Sequence, residues 1–157
     1  MQMQVCNTSE EIYPFGFGWH PYFLIKDSGS CSSLKLPEGY KIQIDEFMIP
    51  TGEKESYDDF LNLCKIDNSN FDTGFELVLN GKTSNVTLQD DNKYGLNFWQ
   101  ESGPGEFRFL QVFIPPDRKS IALEPMTCNI DAFNNKEGVW MLEPQEKRSL
   151  RCGVRVD

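Results

Sequence analysis

Histidine is almost absent: His20 is the only one in 157 residues. Cysteine is present but unorganised. Cys6, Cys31, Cys64, Cys128 and Cys152 are odd in number, scattered, and form no Cys-x-x-Cys. That pattern argues against a disulfide framework and against a metal site of known ligand spacing. Reduced thiols fit a cytoplasmic setting. Positive charge is also scarce, with 15 Lys and Arg against 24 Asp and Glu, a formal net charge of -9. Such a field repels phosphate backbones and anionic lipid, so nucleic acid and membrane surfaces are poor partners. No apolar run is long enough to cross a bilayer. Met1-Gln2-Met3-Gln4 has neither a basic n-region nor an apolar h-region, so no secretory leader is expected. The Asn-x-Ser/Thr matches at Asn7 and Asn85 then read as chance. Repeats, low-complexity tracts and linker-like shifts are missing, and the length suits one domain over 1–157.

Aromatic residues are plentiful at 13%, with 12 Phe, a bias towards β structure. Period-two alternation recurs. Leu150, Cys152, Val154 and Val156 alternate with polar residues or glycine, and Tyr40, Ile42 and Ile44 do the same. Phe75, Leu77 and Leu79 lead to Asn80-Gly81, and Val86 and Leu88 follow, which predicts a hairpin over 75–89. Short apolar runs at 110–114, 121–123 and 139–142 end at prolines, with Pro125 stopping the middle one. Gly103-Pro104-Gly105 separates two further strands. Many short strands with regular turns predict an all-β, antiparallel sandwich. One segment has helical spacing instead. Tyr57, Phe60, Leu61 and Cys64, behind a possible Ser56 cap, predict a short helix near 56–64.

Few residues have the means for chemistry. His20 lies in Pro14-Phe-Gly-Phe-Gly-Trp-His-Pro-Tyr-Phe23, a dense aromatic stretch broken by glycine and proline. Glycine permits close backbone approach and Pro21 stiffens the chain after the imidazole, which suits a pocket wall. The plainer reading is an incidental histidine in a buried aromatic strand. Glu124 ends the apolar run Ile121-Ala-Leu and precedes Pro125. A partly desolvated glutamate there acts as a base near neutrality; an exposed strand-end carboxylate is the alternative. Asp72, before Thr73-Gly74, either accepts hydrogen bonds from a polyol or caps a turn. No nucleophile elbow and no glycine-rich phosphate loop accompanies them.

Taken together, these stretches resemble the aldose 1-epimerase (mutarotase) family. The His20 segment, Asp72-Thr-Gly-Phe-Glu-Leu-Val-Leu79, and Ile121-Ala-Leu-Glu-Pro-Met-Thr-Cys128 look like its histidine, aspartate and glutamate segments, in the same order. The resemblance implies a galactose-mutarotase-like β-sandwich and anomer interconversion of an aldohexose without a cofactor. It implies His20 as general acid on the ring oxygen and Glu124 as general base on the anomeric hydroxyl. Asp72 would hold sugar hydroxyls, and Trp19, Phe17 or Phe133 would offer the sugar an apolar ring face. The histidine segment comes almost at once, so the resemblance covers the C-terminal half of a family domain. The absent half normally supplies an arginine and often a further histidine that bind the sugar. Its loss implies uncovered sheet surface, and hence a homo-oligomer or a partner half. The net charge of -9 disfavours phosphorylated hexoses. Two other functions stay open: a non-catalytic carbohydrate-binding or structural remnant, and a glycoside hydrolase using Glu124 and Asp72.

Overall fold

The computed structural model describes residues 1–103 and 105–156. Its strands in chain order are β1 (Gln2–Cys6), β2 (Tyr13–Phe15), β3 (Tyr22–Leu24), β4 (Ser32–Lys35), β5 (Gly39–Ile44), β6 (Pro50–Ser56) and β7 (Cys64–Lys65). There follow β8 (Asp72–Leu77), β9 (Thr83–Asp90), β10 (Gly95–Glu101), β11 (Phe109–Phe113), β12 (Ser120–Met126), a short helix α1 (Ala132–Asn135), β13 (Trp140–Leu142) and β14 (Lys147–Val156). Two six-stranded sheets run β1-β14-β10-β9-β4-β7 and β3-β12-β11-β8-β5-β6, and β13 pairs with β2. The fold is an all-β, antiparallel sandwich. Among the described residues no helix is long and apolar enough to cross a membrane.

Alternation explains the layers. Val86, Leu88 and Phe98 point inwards from the first sheet, and Phe75, Leu77, Leu110, Val112, Ile121 and Leu123 meet them from the second. Burying each such side chain contributes about 1.5–3 kcal/mol. A smaller cluster of Phe107, Trp140, Leu142, Leu150 and Cys152 closes one end, with Phe15 and Phe17 against it.

Three local expectations are corrected. No helix forms over 56–64. The Phe60 carbonyl accepts from the Leu36 amide at 2.8 Å, and Cys64 pairs with Leu34, so the segment's polar groups serve neighbouring strands. Tyr57 and Phe60 reach the core from a loop, and the only described α-helix is α1. The 75–89 hairpin is also absent, because β8 and β9 belong to different sheets. Leu77 donates to the Arg108 carbonyl and Val78 to that of Glu38, and the chain then turns a corner between the layers. Pro125 does not stop β12, which continues to Met126. The Pro125 carbonyl accepts from the Trp19 amide at 3.2 Å, so that link needs no donor from proline. Pro104, part of the expected Gly103-Pro104-Gly105 punctuation, lies outside the described residues.

Candidate active site

The outer face of the second sheet gathers the candidate residues. Gly18 forms an isolated antiparallel bridge with Met126. Two backbone bonds then frame the histidine: Trp19 N–H to Pro125 O at 3.2 Å, and Leu123 N–H to Pro21 O at 3.3 Å. Residue 20 is thereby held opposite residue 124. His20 Nε2 lies 3.2 Å from Glu124 Oε1, with the imidazole half exposed and the glutamate side chain only 12% exposed. The Tyr22 ring lies beside the imidazole, its centroid 4.9 Å away.

The next strand extends the polar strip. Gln111 stands in register with Glu124 on β11, and Gly74 with Gln111 on β8. Gln111 Nε2 donates to Asp72 Oδ1 at 2.9 Å. Gln111 Oε1 is buried and has no hydrogen-bond partner among the described residues. A buried orphan acceptor costs about 1–3 kcal/mol. Gly74 makes the room: a Cβ there would meet Gln111 Oε1 at 3.1 Å. The Glu124 carboxyl is pushed above its ordinary value, chiefly by burial, against the pull of His20 and with help from the Asp72 charge.

The structure thus brings His20, Glu124 and, through Gln111, Asp72 to one strip. Trp19 does not join them. Side chains alternate along 18–20, so Trp19 turns inwards and packs against Phe98 with ring centroids 6.1 Å apart. Phe17 turns the same way, towards Phe107 at 6.2 Å. Phe133 sits on α1, away from the pair, beside a cavity of about 400 Å³ that Gly18, Met126 and Asp131 also line. A second cavity, of about 310 Å³, is lined by Asp72, Gln111, Ile42, Met48 and Ile130. Two site residues escape the sequence reading. Gln111 is the one polar residue in the apolar run 109–114, which is a usable signal. Tyr22 was merely one aromatic among several.

The loop after β12 is clamped onto this face. Lys54 Nζ binds Glu76 Oε2 at 2.7 Å and Glu137 Oε1 at 2.9 Å. Arg108 Nε adds a 2.6 Å bond to Glu76, and Asn129 donates to Glu137. Burial alone would raise the Glu76 carboxyl, but bonds from Lys54 and Arg108 outweigh it and hold the group below its ordinary range. Gly138, at φ +79°, closes the loop where a Cβ would lie 2.6 Å from the Thr127 carbonyl oxygen.

This sandwich, with an imidazole and a carboxylate on its outer sheet, defines the class: a galactose-mutarotase-like fold. A galactose mutarotase-like protein from Clostridium acetobutylicum superposes with a TM-score of 0.83 at 23% identity, over 99% of this chain and 51% of that one. A candidate aldose 1-epimerase from Escherichia coli K12 gives 0.77 at 19% identity, over 99% and 55%. A galactose mutarotase related enzyme from Lactobacillus acidophilus gives 0.69 at 19% identity, over 99% and 56%. The chain therefore spans about half the length of these solved relatives. Comparison with curated proteins returned no match. The aldose 1-epimerase family model matches residues 1–155, and the chain belongs to that family.

Proposed function

We propose that the chain carries aldose 1-epimerase chemistry, interconverting the α and β anomers of an aldohexose. The observation that supports this most is the 3.2 Å contact of an imidazole with a largely buried carboxylate on an open sheet face. In this reading, imidazolium His20 gives a proton to the ring oxygen while Glu124 takes one from the anomeric hydroxyl. The bond between C1 and the ring oxygen breaks and the free aldehyde forms. Rotation about C1–C2 and closure, with the two proton transfers reversed, give the other anomer. One proton enters the sugar and one leaves, and there is no net oxidation or reduction. The sugar must slip between the two groups and replace the bond each makes to the other. Asp72 binds hydroxyls, and Gln111 Nε2 holds its carboxylate in place.

Proton NMR of freshly dissolved α-glucose or α-galactose tests the reading. Exchange well above the buffer rate is expected. Bound sugar that exchanges no faster than in buffer would instead favour a non-catalytic carbohydrate-binding remnant, a reading to which the half-length match lends weight. Release of free sugar from an aryl glycoside would point to hydrolysis.

The pH dependence follows from Glu124. A base must be ionised, so activity falls as pH drops through a Glu124 pKa raised above 4.5 by burial and by Asp72. Asp72→Asn removes one raising charge. The acid limb of the rate profile should move to lower pH, whatever happens to the maximal rate; a limb that stays put or rises would contradict this assignment.

The same reading makes the chain one domain, equivalent to the C-terminal half of a family member, acting on a neutral sugar in the cytoplasm. It also expects association. On edge strand β3, Tyr22 is 52% and Leu24 86% exposed. Beside them a cavity of about 520 Å³ opens between Leu24, Leu88, Tyr94 and Leu96. Sedimentation of a dilute sample should show self-association or capture of a complementary half. A well-folded monomer at all concentrations would contradict it.

A further inference from the structure

We propose that two copies of the chain join edge to edge through β1, antiparallel, about a two-fold axis at Gln4; this rests on the self-association expected above and names its surface. β1 ends the first sheet, with β14 on one side and no strand among the described residues on the other. Its bonds to β14 alternate along the strand. Met1 and Cys152 exchange both of theirs, at 2.8 and 3.2 Å, and the Asn7 amide donates to Glu146 O at 3.0 Å. Met3 stands opposite Leu150 and Val5 opposite Arg148, so they bond β14 in the same way. Gln2, Gln4 and Cys6 therefore aim N–H and C=O at the open side.

The other three edges of the two large sheets are guarded. β3 and β7 are only three and two residues long. β6 carries Pro50, Gly52, Glu53, Lys54 and Glu55. β1 is Gln-Met-Gln-Val-Cys, with no charge, no proline and an unbroken register. On a chain of net charge -9, two copies meet there with little repulsion. On β14 behind it, Arg148 and Arg151 are each neutralised by a glutamate. Lys147 would stand three strand spacings, about 14 Å, from the partner's Arg151, beyond the screening length of roughly 8–10 Å.

The open groups set the register. Gln4 faces the partner's Gln4 and Gln2 faces the partner's Cys6, each pair exchanging two N–H···O bonds. The partner's Met3 then lies opposite Val5, on the face that packs against the second core cluster. Beside Val5 a notch of about 270 Å³ is lined by Tyr13, Phe15 and Leu142. The partner's Met3 enters it, and a flexible thioether suits so irregular a gap. The two-fold axis repeats the insertion in the other copy. One register thus satisfies the open backbone and covers the notch. The His20–Glu124 pair belongs to the other sheet and stays free in both copies.

Sedimentation of the full chain under reducing conditions, over a range of concentrations, should show a monomer–dimer equilibrium. Gln4→Pro removes an N–H that β14 does not use, and Gln4→Lys sets two like charges face to face. Each should weaken the dimer at least about tenfold, the loss of one mutual pair of bonds, at an unchanged urea midpoint. Register is read separately in a Cys6→Ser background. Gln4→Cys should form a disulfide-linked dimer with diamide, which takes the two electrons, because facing Cα atoms lie about 5.5 Å apart. Gln2→Cys should not, since those residues stand four positions, about 13 Å, out of step. A dimer that persists in both folded Gln4 variants lies on another surface and overturns the proposal, as does equal cross-linking from positions 2 and 4. A wild-type monomer at every concentration overturns it together with the expected self-association. Anomeric exchange per chain should be the same in Gln4→Lys as in the wild type, whatever its rate, so the epimerase reading stands or falls apart from this surface.

Discussion

Glu124→Gln is expected to slow anomeric exchange at least ~100-fold, the usual contribution of one general base. The substitution is nearly isosteric and keeps an oxygen facing His20 Nε2, so the loss would be chemical. An amide cannot take the anomeric proton. His20→Ala should cost a comparable factor through loss of the acid. Removing the imidazole also leaves Glu124 without the positive partner that opposes its burial. Its carboxyl should then rise further, and the acid limb of any residual activity should shift upwards. Exchange spectra of the two variants, beside circular dichroism to confirm folding, decide the matter. Near-normal exchange in either folded variant removes that residue from the mechanism.

Phe98→Ala should destabilise the fold by about 3–5 kcal/mol, the range for losing a buried aromatic ring. Phe98 is fully buried, and both Trp19 and Phe23 lean on its ring, at 6.1 and 6.2 Å between centroids. Those two residues flank His20, so the void opens beneath its segment. With total stability of such domains near 5–15 kcal/mol, the urea midpoint should fall steeply at unchanged slope. Exchange activity should fall as well, since Trp19 would no longer be wedged. A loss under about 1 kcal/mol would mean that the layers do not close on Phe98.

The architecture was largely legible because alternation reports one dry face per strand. What alternation cannot report is which layer a strand joins. Phe75/Leu77 and Val86/Leu88 have matching periods whether they pair or face each other, and here they face each other across the core. The helix expected near 56–64 failed for a related reason. Spacing records that Tyr57, Phe60 and Cys64 turn towards apolar neighbours, but the Leu36 amide claims the Phe60 carbonyl that a helix would need. Pro125 misled because a missing N–H matters only where a donor is required. At the site, His20, Glu124 and Asp72 stood out by chemistry and by resemblance. Trp19 takes its direction from its neighbour: with His20 outward, its ring packs inward against Phe98. Gln111 was hidden in an apolar run, and only register with Glu124 shows its place.

Consider finally the two amides that bracket the histidine, Trp19 to Pro125 and Leu123 to Pro21. They make His20 and Glu124 rungs of one ladder, although the two residues lie far apart in the chain. Fraying of that rung would disarm both groups in a single event, whereas a mobile loop would misplace only one. Deuterium uptake at these two N–H groups therefore counts the molecules that are momentarily incompetent. Slow uptake there would mark a reaction centre as rigid as the sheet that bears it.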